Sequence, residues 1–173
     1  MLLEQSKIVG LPVGALDAGK RVAQVAEVVV SPEKGKILGY LLKVGFWPLQ
    51  VYRVVLAEEV VGLDRNGLVV AKEEVVVPPE EIVRIHRLLK EKFHLVGLPV
   101  ETKKTKKRLG RVYDFLIETT THSIVKLYVK GWFTHFLIPF SQVVKIEKNK
   151  IVVKENAGGG KKEALLGVVE PAS

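Results

Sequence analysis

The chain has 173 residues, with 27 lysines and arginines against 19 acids, 47% apolar residues and no cysteine. That length allows one large domain or two small ones, each near the lower limit at which a core supports itself. The missing cysteine excludes a disulfide framework, a thiolate zinc site, an iron-sulfur cluster and a cysteine nucleophile. No apolar run reaches the roughly 18 residues of a membrane span, and Met1 to Lys7 lacks the basic start and apolar stretch of a signal peptide, so the expected location is cytoplasmic.

Taken in chain order, Val22 to Val30 and Ile37 to Val44 are β-branched or apolar runs joined by a Pro- and Gly-containing segment, Ser31 to Lys36, which predicts a hairpin. Val54 to Leu63 and Gly67 to Ala71 predict a second pair, with Asn66-Gly67 supplying the positive φ angles of a tight turn. Pro78-Pro79-Glu80-Glu81 then opens an apolar pattern of Ile82, Val83, Ile85, Leu88, Leu89 and Phe93, with acids early and Lys90 and Lys92 late; this predicts a connecting helix that packs on a barrel. Leu109 to Ile117 and Ile124 to Lys130 predict another hairpin, whose connection, Glu118 to Ser123, has neither Gly nor Pro and is compatible with a strand extension. Glu147 to Lys150 makes the last turn, with Asn149 as its best left-handed residue. From Asn156 the glycine run and Lys161-Lys162 read as a flexible tail.

These elements repeat. Val9-Gly-Leu-Pro-Val13 recurs unchanged as Val96-Gly-Leu-Pro-Val100, an offset of 87, and the ungapped match from Val9 to Phe46 holds 11 identities over 38 positions. Unrelated sequences of average composition would share about two or three. After a four-residue shortening near Trp47 to Tyr52, the match resumes as Val60-Val61 with Val143-Val144 and Val69-Val70 with Val152-Val153. The expected fold is mainly β, two small β-barrels joined by a helical connector: 1–77 the first barrel, 78–93 the connector, 94–155 the second barrel and 156–173 the tail. Closure into barrels removes exposed sheet edges.

Lys107-Arg-Leu-Gly-Arg-Val-Tyr-Asp114, followed by the hairpin and Leu137-Ile-Pro-Phe-Ser-Gln-Val-Val144, resembles the PRC-barrel family, as does Gly19-Lys-Arg-Val-Ala-Gln-Val-Ala-Glu27. That family is named for the cytoplasmic domain of the photosynthetic reaction centre H subunit, and it supplies the C-terminal domain of a ribosome maturation factor. Its motifs are structural rather than catalytic. Ala23 replaces the usual glycine, and Leu56-Ala-Glu-Glu59 departs from Ile-Pro-Phe, so the first copy is the more divergent.

The residues carry no sign of an enzyme. His86, His94, His122 and His135 form no metal-ligand spacing, although His122 and His135 could approach each other across the second hairpin. Adjacent acid pairs such as Glu58-Glu59 point to opposite faces of a strand, and Gly158 to Lys162 lacks phosphate-loop spacing. No catalytic residue, cofactor or metal is expected. Binding is the better reading, because Met1 to Glu80 holds nine cations against ten acids and the remainder 18 against nine. The densest run is Lys103, Lys104, Lys106, Lys107 and Arg108, with Arg111 beyond, opposite the nearly neutral Ala15 to Lys20 of the other copy. Trp132 and Phe133 lie beside Lys130 and His135 and are read as a protein-facing or inter-barrel patch. The expectation is an adaptor for a protein or ribonucleoprotein partner, with direct RNA binding in RNA processing or ribosome assembly as the alternative, no transmembrane segment, and a sheet edge compatible with a homodimer.

Overall fold

The computed structural model describes residues 1–158; the rest of the expected tail lies outside the described residues. The first half runs β1 (Leu2–Glu4), α1 (Gln5–Ile8), β2 (Pro12–Ala15), β3 (Lys20–Ser31), β4 (Lys36–Val44), β5 (Val51–Leu56), β6 (Val60–Leu63) and β7 (Leu68–Val70), and leads into α2 (Val83–Lys90). The second half repeats it as β8 (Pro99–Thr102), β9 (Arg108–Glu118), β10 (Ser123–Lys130), β11 (His135–Pro139), β12 (Val143–Ile146) and β13 (Ile151–Val153). In each half the strand that opens the copy pairs in parallel with the one that closes it, β2 with β7 and β8 with β13, and antiparallel with the long strand that follows. Each half therefore curls into a small mixed-sheet barrel, and together they make the expected tandem.

The halves meet at their hairpin tips. Ile37 N–H donates to the His122 carbonyl at 2.8 Å, and Ile124 N–H donates to the Gly35 carbonyl at 3.2 Å. These are equivalent positions under the 87-residue offset, so the exchange is reciprocal, and a local two-fold axis passes beside the Lys36–Ser123 bridge that joins β4 to β10. One apolar core runs through both halves, including Ile8, Val25, Tyr40 and Leu42 with Phe115, Ile117 and Leu127. Strand β1, which falls in the first copy by sequence, pairs with β9 of the second, Leu3 opposite Ile117.

The two tips solve the same turn differently. Gly35 has φ +59°, and a Cβ there would lie 1.9 Å from the Phe140 ring. His122, its counterpart, takes φ +51° despite its side chain, and Ala57 stands where the second copy has Phe140. A small tip residue thus faces a large one on one side, while on the other His122 and Ala57 line a common groove. The threonines do not extend the strand: Thr120 and Thr121 N–H donate to Glu118 Oε2 at 2.9 and 2.7 Å and close a turn. The N-terminal ammonium first, and the Thr121 bonds after it, hold the Glu118 carboxyl down to about 2.

Helix α2 forms within the expected connector. Ile85 and Leu88 are buried in a second, smaller cluster against Val29 and Val54, each worth about 1.5–3 kcal/mol for an aliphatic side chain taken from water. Gly39 makes room for it, since a Cβ there would lie 2.8 Å from Ile85 Cδ1. Three expectations fail locally. Val54 to Leu63 is broken by a 3₁₀ turn at Ala57–Glu59, which redirects the chain from β5 to β6. Asn66-Gly67 does not use positive φ; Asp64 Oδ1 accepts the N–H groups of Asn66 and Gly67 at 2.7 and 3.2 Å, so a side chain closes the turn in place of left-handed backbone. Asn149 likewise stays out of the left-handed region, the turn being closed by Glu147 N–H on the Lys150 carbonyl at 2.8 Å.

Candidate interaction surface

The basic run lies in the turn between β8 and β9, and the chain holds that turn from several sides. Lys103 N–H donates to the Val153 carbonyl at 2.9 Å, and Thr102 N–H to the Lys107 carbonyl at 3.0 Å. Lys107 N–H returns to Thr102 Oγ1 at 3.0 Å, and Lys106 takes φ +54°. The centre of the turn is a concavity of backbone N–H groups occupied by a carboxylate: Glu155 Oε1 accepts from Lys104 and Thr105 at 2.5 and 2.9 Å, and Oε2 accepts from Thr105 Oγ1 at 2.8 Å. Those bonds, the Thr105 backbone one above all, hold the Glu155 carboxyl below the usual carboxylate range. Glu155 thus fixes the backbone while the lysine side chains stay exposed.

Nearby acids are occupied elsewhere. Lys150 Nζ sits 2.8 Å from Glu101 Oε1 and 3.8 Å from Glu147 Oε2, and Lys145 pairs with Glu147. Among the described residues, Lys103, Lys104, Lys106, Lys107 and Arg108 enter no ion pair, and all five are exposed. Arg111 is different: its guanidinium donates to the Gly97 carbonyl at 2.9 Å, as Gln24 does to Gly10 in the first half at the same distance. Arg111 is a repeated structural tie that also carries a charge.

The aromatic tip lies beside this turn. Gly131 N–H donates to the Thr134 carbonyl at 2.7 Å, closing a loop with Trp132 and Phe133 at its apex, 95 and 98% exposed. The loop bends against the start of β9: a Cβ on Gly110 would lie 2.2 Å from the Lys130 carbonyl oxygen, and one on Gly131 2.7 Å from that of Leu109. Glycine at position 110, where the first copy has Ala23, permits this approach two residues past Arg108. The fold therefore gathers the predicted basic and aromatic residues at one end of the second barrel, away from the axis between the halves. Trp132 and Phe133 neither plug the barrel nor join the two halves.

The histidines do not assemble. His122 sits at the hairpin tip with Nδ1 2.9 Å from the Tyr40 hydroxyl, whereas His135 opens β11 opposite Lys130, at the other end of β10; the approach considered for these two does not occur. His94 Nδ1 lies 2.8 Å from Glu27. Among the described residues no group of three His, Cys, Asp or Glu could hold a metal ion, and no helix is long and apolar enough to cross a membrane. Sequence reasoning missed Glu155, which lies at the boundary of the tail and shows its role only through folding. It also gave no role to Phe46, Trp47 and Leu49, whose apolar character reads equally as core.

The family model for the PRC-barrel domain matches this chain twice, over residues 2–87 and 93–159. No curated protein matches it.

Proposed function

We propose, from the premise that the chain belongs to the PRC-barrel domain family in both its halves, that it is a non-enzymatic adaptor whose second barrel captures an acidic protein or ribonucleoprotein surface. The family supports a general protein-interaction module, and the finer reading rests on one observation: exposed lysines at positions 103, 104, 106 and 107, in no ion pair among the described residues, stand on a turn held by Glu155. A pre-ordered turn loses little conformational freedom on binding, so its charges act on a partner at full effect. Trp132 and Phe133 add apolar contact area beside the charge.

Direct RNA binding is the second reading, carried by the exposed rings next to the cations, an arrangement on which unpaired bases stack. Fluorescence anisotropy separates the two, with labelled polyglutamate, single-stranded RNA and a structured RNA titrated at several salt concentrations. The adaptor reading expects the acidic peptide to bind and binding to vanish when Lys103, Lys104, Lys106 and Lys107 are changed to glutamate. Unchanged binding in that variant removes the turn from the function. Tighter binding of RNA with a steep salt dependence moves RNA to first place.

A further inference from the structure

The first half carries an exposed tip of its own. In the β4–β5 loop, Phe46, Trp47 and Leu49 are 78, 82 and 77% exposed, within a stretch, Val44 to Tyr52, that holds no charged residue. A contiguous apolar tip of this kind marks an interaction site. Beside it a groove of about 740 Å³ runs between the outer face of the first sheet and α2, floored by Leu41, Leu88, Leu89 and Phe93. Its lining includes Lys43 and Tyr52, which face each other at the foot of the same loop. An apolar knob therefore adjoins a groove with an apolar floor and a polar rim.

We propose that the chain self-associates through this pair, the Phe46–Leu49 loop of each copy entering the groove of the other about a two-fold axis. A knob and socket on one surface form an isologous contact, satisfied twice and closed at two copies. Aromatic side chains bury about 150–250 Å² each, so Phe46, Trp47 and Leu49 together remove on the order of 500 Å² per copy, at the lower edge of stable interfaces. Charge selects the occupant. The groove lining holds Lys43, Lys90, Lys92 and His86 with Glu80, while Glu27 is taken by His94. A charge-free loop meets no repulsion there, whereas the lysine-flanked Trp132–Phe133 tip does. At the equivalent position of the second half, Lys126 stands where Gly39 admits Ile85. The dimer stands whether or not the basic turn captures a partner, and where it does, two turns per assembly raise avidity.

Sedimentation velocity of the full chain over a wide concentration range tests this. Wild type should sediment as a dimer that dissociates on dilution. Phe46→Ser with Trp47→Ser, both exposed positions, should leave the circular-dichroism spectrum unchanged and weaken association by at least about tenfold, as loss of aromatic anchors does. Tyr52→Lys should do the same from the socket side, and mixing these two variants should restore a heterodimer through the one remaining intact contact. Trp132→Phe leaves Trp47 as the sole tryptophan, since the chain has two; its emission should shift to the blue as protein concentration rises. A wild type monomeric at every concentration, a dimer indifferent to the Phe46/Trp47 change, or a Trp47 shift that needs anionic vesicles instead of protein would each overturn the proposal.

Discussion

Ser6 and Asp114, 108 residues apart in sequence, are bonded twice: Ser6 N–H donates to Asp114 Oδ1 at 3.1 Å and its hydroxyl to Oδ2 at 2.5 Å. The counterpart of Asp114 is Glu27, which meets His94 from the segment that leads into the second copy. Each copy's leading segment thus seats on the acid of the other copy's long strand. Asp114 is only 7% exposed and also accepts Phe115 N–H at 2.9 Å, so Asp114→Ala should cost about 1–3 kcal/mol through orphaned donors. Glu27→Ala, at the more open pair, should cost less than about 1 kcal/mol. Urea midpoints at unchanged slope measure both.

Gly35→Ala should be among the most damaging single changes in the chain. It loses about 1–2 kcal/mol from the left-handed backbone and drives a methyl into the Phe140 ring. Phe140→Ala removes the second penalty but not the first, so a double-mutant cycle should give a coupling above about 1 kcal/mol of favourable sign. Additive effects would mean that Phe140 turns away at no cost.

Burial lowers the pKa of His122, and burial raises that of Tyr40, so both partners of their hydrogen bond are held neutral. The folded state then binds fewer protons than the unfolded chain, whose imidazole titrates near 6.5. Stability from this group is complete above about pH 6.5 and falls as the solution is acidified below it. His122→Asn keeps a residue tolerant of the left-handed region while removing the titration. Thermal melts from pH 8 to pH 5 should show a smaller acid loss in the variant than in wild type.

Glu155→Ala separates charge from order in the basic turn. It raises the net charge by one, so simple attraction predicts tighter binding of an acidic probe. Removal of the carboxylate from the amide concavity instead frees the turn, and capture should weaken while the amides of Lys104 and Thr105 exchange hydrogen faster. Tighter binding with unchanged exchange would refute the pre-ordered turn.

Much of this architecture is written locally. β-Branched runs gave the long hairpins, the Val-Gly-Leu-Pro-Val repeat gave the duplication, and the prolines and charge order around Pro79 gave the connector helix. Union of the halves was hidden, because a three-residue strand at Leu2–Glu4 has no period to read and its partners are more than a hundred residues away. The basic run was legible as charge, but its rigidity depends on Glu155, 51 residues beyond Lys104. Exposure was the least legible property: Trp47 and Leu42 are both apolar residues of one hairpin, and only tertiary packing buries one and bares the other.

Strand β1 places the start of the chain against residues 116–118, with the Met1 ammonium 2.7 Å from Glu118. This segment is synthesised more than a hundred residues before its partner strand, so it waits on the order of ten seconds at ordinary synthesis rates before it can pair. During that interval the first barrel lacks the core that Phe115 and Ile117 supply, and Leu3 and Ile8 remain without their seat. The early strand is thus completed only by one made late, and the core around Leu3 is the last part of the first half to be sealed.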